Sequence, residues 1–346
     1  MASIKENRLS SIRGISDGMK GKNYPFNDCM AFMMECLKED SRLDYWFFSW
    51  LTGDGLVQVY DRNKSSFCEY CLSGFLPSYE HIKHVFDTIG YAYEYVTSEE
   101  INKNKPFYQE KVIEYINRGI PVLVKTTLLD TPMENSELTY TLYVGYEDYG
   151  NKLIFLNPYD RLEIYDIDNV IKQDWIFIGD KKNEIIYDEV LIKTIKNTYT
   201  LLNLPEDNGK FYGANAYRAW AEDMRDGRFV TEKDLWANYG AYFCNLATNS
   251  WANNIEDAPH ASLFYNLMKL YPEYKEMSNQ IANQYAIIGS GDGKGGIWKD
   301  LTDLGGGFNI SNTAMEDEAN RNSIAKKLEE AADAIERVSM ILDKML

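Results

Sequence analysis

The sequence Asn23-Tyr24-Pro25-Phe26-Asn27-Asp28-Cys29 opens a predicted helix over residues 27 to 38 and places a thiol near its start. The helix is predicted because one apolar stripe recurs at i, i+3, i+4, i+7 and i+8, namely Cys29, Phe32, Met33, Cys36 and Leu37. A thiol in the first turn lies near unpaired backbone amides and the positive end of the helix dipole, which both favour the thiolate. The side-chain amide of Asn23, a group that can donate hydrogen bonds to an oxyanion, lies six residues upstream.

A second group of segments predicts an antiparallel sheet. Short apolar runs and period-two patterns occur at 121–125, 139–146, 152–156, 162–165 and 175–178. The turn residues between them predict hairpin connections and therefore a meander. A further strand is predicted at 91–96, and helices are predicted at 44–51, 78–89 and 108–117.

The pattern becomes helical after about residue 185, with predicted helices at 190–202, 214–224, 231–249, 262–268 and 274–288. No further strand is predicted there. The fold class is therefore α+β, with an antiparallel sheet in residues 1–185 and an all-α domain in residues 186–312.

The last segment, residues 313–346, predicts an amphipathic helix with a heptad seam of Ile324, Leu328, Ala331, Ile335, Val338, Leu342 and Met345. Such a seam pairs with another helix. The partner is either a helix of the same domain or the same helix of a second chain, which would make a homodimer.

Composition restricts the partners and the compartment. The chain has 36 basic and 53 acidic side chains, a formal charge of −17, which repels nucleic acid phosphates and anionic membrane surfaces. The first residues lack the apolar region of a signal peptide, so a cytoplasmic location is expected. The five cysteines are then expected to be thiols rather than disulfides.

Metal and cofactor sites have weak support. Cys68 and Cys71 have the spacing of a zinc ligand pair, and His81 and His84 follow within reach in sequence. The alternative is that both cysteines pack as small apolar residues. No second cysteine pair accompanies them, so no metal and no cofactor is expected.

The arrangement of motifs resembles the papain-like proteins grouped with butirosin biosynthesis protein H, which are more distantly similar to the peptidase domains of bacteriocin exporters. In that group, a strand G-x-P-V-x-V is followed by H-x-x-x-x-x-G-Y-D and then by D-P or N-P. This chain has Gly119-Ile120-Pro121-Val122-Leu123-Val124, then Thr139 through Gly145-Tyr146-Glu147, then Asn157-Pro158. The resemblance covers about residues 20 to 310.

The resemblance implies a papain-like cysteine peptidase fold in which Cys29 is the nucleophile, Asn23 the oxyanion donor and Asn157 the residue that orients an imidazole. At the histidine position this chain has Thr139, followed by Tyr140. A threonine hydroxyl is not a base near neutral pH, and a tyrosine with a pKa of ~10 is a poor one. His81, His84 and His260 lie far away in sequence.

Three functions remain open at this point. The first is a cysteine-dependent acyltransferase or amide hydrolase, with an acyl carrier protein as partner. The second is a catalytically inactive papain-like module that binds a small molecule or a peptide and dimerises through its C-terminal helix. The third is an assembly protein organised by that helix. Cys29 itself is either a nucleophile or a small buried residue of the helix stripe.

Overall fold

The structure is a computed structural model and describes residues 4–15, 21–63, 78–127, 138–157, 161–169, 173–255, 259–290 and 293–346. The chain divides into two compact units. Unit 1 comprises Met1–Asp17, Tyr24–Phe48 and Pro77–Ile185, and unit 2 comprises Gly18–Asn23, Ser49–Leu76 and Ile186–Leu346. The division after Ile185 lies where the sequence pattern changes, but two earlier segments also belong to unit 2.

The strands, in chain order, are β1 (Asn7–Arg8), β2 (Val59–Asp61), β3 (Tyr91–Val96), β4 (Val122–Thr127), β5 (Leu138–Glu147), β6 (Lys152–Asn157), β7 (Arg161–Asp166), β8 (Asp174–Lys181) and β9 (Lys210–Tyr212). The helices before Ile185 are α1 (Pro25–Cys36), α2 (Tyr45–Thr52), α3 (Ser78–Thr88), α4 (Ser98–Lys103) and α5 (Lys105–Asn117). Most of these elements lie within two or three residues of the predicted ranges.

Unit 1 contains an antiparallel sheet with the strand order β3-β8-β4-β5-β6-β7, and β1 also pairs with β5. The predicted antiparallel sheet is therefore confirmed. The meander is present from β4 to β7. The prediction was wrong for β8, which does not extend the meander beyond β7 but returns to lie between β3 and β4.

Helices cover both faces of this sheet. On one face, Phe26 of α1 contacts Tyr140 of β5, and Phe86 of α3 contacts Tyr93 of β3. On the other face, the ring of Tyr115 in α5 contacts the ring of Phe177 in β8. Because side chains alternate between the faces of a strand, these contacts assign each strand residue to one side of the sheet.

Helix α1 is the central element of unit 1. Pro25 occupies its first position, where the fixed φ of proline suits a helix and the missing N–H is not needed. Every residue from Pro25 to Met34 is buried. Arg13 of the N-terminal segment forms ion pairs with Asp28 at 2.9 Å and Glu35 at 2.8 Å, which fastens that segment along the helix.

Unit 2 is mainly helical, which confirms the predicted helical C-terminal region. Its helices are α6 (Tyr187–Leu202), α7 (Gly213–Arg225), α8 (Ala241–Ala252), α9 (Leu263–Leu270), α10 (Lys275–Ile288), α11 (Gly296–Asp303), α12 (Asn312–Glu316) and α13 (Glu318–Met345). A π-helical turn, Trp236–Gly240, precedes α8. The expectation of no strand after residue 185 was wrong, because β9 pairs with β2.

Buried polar side chains hold the early segment of unit 2 against its helices. Asn245 of α8 accepts a hydrogen bond from the Val59 N–H at 2.9 Å, and Asn253 donates to the Gly55 carbonyl at 3.0 Å. Tyr60 of β2 donates to the Asp223 carboxylate of α7 at 2.6 Å. The two asparagine bonds satisfy backbone groups of a segment that has few regular partners of its own, and the Tyr60 bond joins two buried side chains.

The heptad seam of α13 is buried within unit 2. Of its residues, Met345 is half-buried and the other six, Ile324, Leu328, Ala331, Ile335, Val338 and Leu342, are buried; the helix packs against α7, α10 and α11. Two partners were predicted for the seam, and in the structure it packs against helices of the same chain. The seam gives no support to a homodimer. Within the described ranges, no helix combines the length and apolar character needed to cross a membrane.

Leu328→Ala tests this packing. Removal of a fully buried leucine side chain is expected to lower the free energy of unfolding by about 2–5 kcal/mol. Urea unfolding at several protein concentrations measures it, and the midpoint is expected not to change with concentration. Lys326→Ala, an exposed position on the same helix, is the control and should change stability by less than about 0.5 kcal/mol. A midpoint that rises with protein concentration would instead indicate a seam between two chains.

Candidate functional site

Cys29 lies two residues further into α1 than its sequence suggests. The helix begins at Pro25, so Cys29 is its fifth residue, and its side chain is 0% exposed. The N–H groups without a helical partner are those of the first four residues. The thiol therefore receives less help from the helix start than a first-turn residue would.

Asn23 belongs to unit 2, where its side-chain amide is already engaged. The Nδ2 group donates to the Cys244 carbonyl oxygen at 3.3 Å and to Thr248 Oγ1 at 2.8 Å. An amide NH₂ has two hydrogens, so both are used by α8. In this structure the amide anchors the chain just before α1.

Tyr140, and not Thr139, faces helix α1. The ring of Tyr140 is 4.8 Å from the ring of Phe26 between centroids, and the side chain is 2% exposed. Thr139 is its neighbour on β5 and pairs with Thr126 of β4, so its side chain points to the face against which α5 packs. The residue at the histidine position of the motif thus points away from the helix that carries Cys29.

A β-bulge in β5 changes the relation between Gly145 and the earlier residues of the strand. The register between β5 and β6 shifts between Tyr143 and Gly145, so one extra residue separates Gly145 from the earlier part of the strand. An insertion of one residue exchanges the two faces of a strand. Gly145 and Thr139 are six residues apart and would lie on the same face of a regular strand. The bulge places them on opposite faces of β5.

Asn157 is the last residue of β6 and follows Leu156, which pairs with Leu142 of β5. The structure describes its backbone only. Pro158 and the pair Cys68 and Cys71 lie outside the described residues.

His81 is a residue near α1 that sequence reasoning missed. It lies on α3, its ring is 4.7 Å from the ring of Phe26, and it is 3% exposed. Its Nε2 has no hydrogen-bond partner in the described part of the chain. The burial could have been predicted, because His81 shares a helix stripe with Val85 and Ile89, but nothing in that stripe reveals its contact with Phe26.

The imidazole of His81 is uncharged at neutral pH. Burial, and to a smaller extent the neighbouring charges of His84 and Lys125, lower the pKa of His81 to about 3. A cysteine nucleophile of the papain type needs a positively charged imidazole beside its thiolate. His81 does not supply that charge.

The other described thiols are not activated either. Burial raises the pKa of the half-buried Cys36 thiol to about 11, and the carboxylate of Glu35 adds to the rise. Burial raises the pKa of Cys244 to about 12. Among the residues that the structure describes, no group of three or more His, Cys, Asp or Glu side chains could hold a metal ion.

No model of a known protein family matches this chain, and no curated protein matches it.

His81 predicts a specific dependence of stability on pH. Its pKa is about 3 in the folded protein and 6.5 in an unfolded chain, so the unfolded state gains a proton first as the pH falls. Neutral His81 contributes fully to the free energy of unfolding above pH 6.5. This contribution is lost as the pH falls towards 3, by at most about 1.4 kcal/mol per pH unit. Replacement of His81 by leucine, which cannot titrate, should remove this part of the pH dependence of the free energy of unfolding.

The measurement compares urea unfolding of the wild type and of His81→Leu between pH 6.5 and the acid transition. His84→Gln, an exposed position on the same helix, is the control and should keep most of the wild-type slope. Carboxylates contribute equally to all three proteins. Identical slopes for the wild type and His81→Leu would show that His81 titrates normally in the folded state.

Proposed function

We propose that this chain is a catalytically inactive module of papain-like type that binds a small molecule or a peptide. The observation that carries the proposal is the aromatic packing at the start of α1, where His81 and Tyr140 both contact Phe26. All three side chains are buried. A packed aromatic cluster stands where a working site would need room for a substrate and a charged imidazole.

Two features support the papain-like part of the proposal. The helix that carries Cys29 packs against β5, the strand that follows the G-x-P-V-x-V motif of the resemblance. The surrounding sheet is antiparallel, and a helical region follows it along the chain.

Three observations weigh against an active acyltransferase or hydrolase. Cys29 is buried, so an acyl donor has no direct access to its sulfur. His81 is neutral, and both amide hydrogens of Asn23 are bonded within unit 2. Each of the roles of nucleophile, base and oxyanion donor therefore lacks a condition that the chemistry requires.

Alkylation of the thiols tests the inactive state. The protein is treated with iodoacetamide at pH 7.5, and the modified cysteines are mapped by mass spectrometry over time. Cys29 is expected to react no faster than Cys36 or Cys244, because its side chain is fully buried and no iodoacetamide molecule can reach its sulfur directly.

Hydrolysis of an acyl thioester completes the test, with Cys29→Ala as the variant and Cys244→Ala as the matched control. All three proteins, including the wild type, are expected to give the same low rate. Selective alkylation of Cys29, together with a hydrolysis rate that falls in Cys29→Ala alone, would overturn the proposal and restore the enzyme hypothesis.

A further inference from the structure

A groove lies at the opposite end of α1 from the aromatic cluster. It has a volume of about 360 Å³ and is lined within unit 1 by Leu9–Ser11, by the end of α1 as far as Lys38, and by Arg118–Gly119 after α5. Small-molecule sites commonly have volumes of about 300–1,000 Å³. The groove is therefore large enough for a small organic ligand.

The groove combines an apolar floor with polar walls. Leu9 and Phe32 are buried beneath it, while the hydroxyl-bearing Ser10 and Ser11 are exposed at its wall. Apolar floors with a few convergent polar groups are typical of sites that fix both the body and the polar end of a ligand.

Two cationic side chains, Lys38 and Arg118, line the groove together with Glu35. Glu35 is paired with Arg13, whose Nε lies 3.0 Å from both carboxylate oxygens and whose guanidinium also pairs with Asp28 at 2.9 Å. Lys38 forms no ion pair with any described residue, and Arg118 has an exposed ion pair with Glu114 at 3.4 Å and lies over the ring of Tyr115 at 5.5 Å. Two cations therefore remain available in a chain whose formal charge is −17.

The backbone at Lys38 shows that a cation occupies a position better suited to glycine. The N–H groups of Lys38 and Glu39 bond to the carbonyls of Glu35 and Met34, which is the Schellman ending of a helix. Lys38 has a φ of 60°, in the left-handed region that disfavours side chains with a Cβ.

The end of α5, in the same groove, provides the comparison. The N–H groups of Gly119 and Ile120 bond to the carbonyls of Ile116 and Tyr115, which is the same motif. Here the left-handed residue, with a φ of 79°, is Gly119. The chain thus has glycine at one helix end and a strained lysine at the other. A strained residue beside a cavity is the kind of backbone outlier from which a role for its side chain can be inferred.

We propose that this groove binds a small organic monoanion, a carboxylate joined to an apolar group, with the carboxylate at Lys38 and Arg118 and the apolar part over Leu9 and Phe32. The inference rests on the proposed function, because it supplies the ligand class and the site of the binding module. The hydroxyls of Ser10 and Ser11 are further donors for the carboxylate.

The chemistry favours a single carboxylate over larger anions. Two cations match one anionic group, and the overall negative charge of the protein repels polyanions. The same chemistry occurs in a free carboxylic acid and in the C-terminus of a peptide that ends in an apolar residue. The experiment therefore has one arm for each source.

Binding of 4-phenylbutyrate to the full chain is measured by calorimetry, with 4-phenylbutanamide as the uncharged control. A ligand of about 12 non-hydrogen atoms is expected to bind with a Kd of about 1 mM. In the second arm, acetyl-Ala-Ala-Leu with a free C-terminus is compared with its amide. In either arm, the acid is expected to bind at least about tenfold more tightly than the uncharged form.

Thiol labelling locates the bound ligand. Cys36 lines the groove, whereas Cys244 lies in unit 2. Saturating 4-phenylbutyrate is expected to slow the reaction of Cys36 with N-ethylmaleimide and to leave that of Cys244 unchanged.

Three variants test the residues. Lys38→Gly is expected to leave the melting temperature unchanged or to raise it, because the backbone strain is relieved, while the affinity falls about tenfold. Ser11→Trp, at an exposed position, should block the groove without affecting folding. Lys152→Gln, an exposed lysine of β6, is the control and should bind like the wild type.

The inference is overturned if no acid binds below about 10 mM, if acid and amide bind equally, or if Lys38→Gly and Ser11→Trp retain the wild-type affinity. These results would not change the outcome of the alkylation and hydrolysis experiments that test the proposed function. Conversely, a reactive Cys29 in a protein whose groove binds the acid would refute the inactive state alone.

Discussion

The contact between Phe26 and Tyr140 determines what the rest of unit 1 can do. It fixes the side of β5 that faces α1, and alternation along the strand then assigns every neighbouring side chain to one face or the other. His81 packs on the same phenylalanine from α3. The start of α1 is thereby closed by three rings, and any function that needs an open, charged site at this point conflicts with the packing.

This closure has an electrostatic consequence as well as a steric one. An imidazole among apolar side chains loses the hydration that stabilises its charged form, so its pKa falls. Lys125 lies near His81 and adds repulsion in the same direction. An imidazole next to a negatively charged carboxylate or thiolate would show the opposite trend. The environment of His81 therefore resembles that of a core residue and not that of a catalytic base.

Local sequence patterns predicted most of the elements, because amphipathic stripes, glycine stops and period-two runs are properties of neighbouring residues. The helix ending before Gly119 and the strands from β4 to β7 are examples. Pairings between strands that are distant in the sequence were not predicted. The three-residue strands β2 and β9 have no pattern of their own and exist because each pairs with the other from a distant part of the sequence. The return of β8 to β4 is equally non-local.

Local sequence patterns also fail to predict some of the contacts at the candidate site. Sequence spacing identified Cys29 and the strand opposite its helix, but it could not identify which of Thr139 and Tyr140 faces that helix. The bulge before Gly145 exchanges the two faces, and a bulge leaves little trace in a single sequence. His81 was missed for a related reason, since its contact with Phe26 joins residues 55 positions apart in the sequence.

The two ends of α1 differ in exposure and charge. At its start, burial removes access and charge from the groups that chemistry would need. At its end, the helix closes with a left-handed residue, where glycine would be the most stable choice, and the chain has a lysine instead. The carbonyl groups of the last turn partly favour a cation there. A cation at an adjacent position would interact with the helix dipole equally well. The dipole therefore does not explain why the lysine is at the strained position. The position of Lys38 is better explained by the groove that its side chain lines.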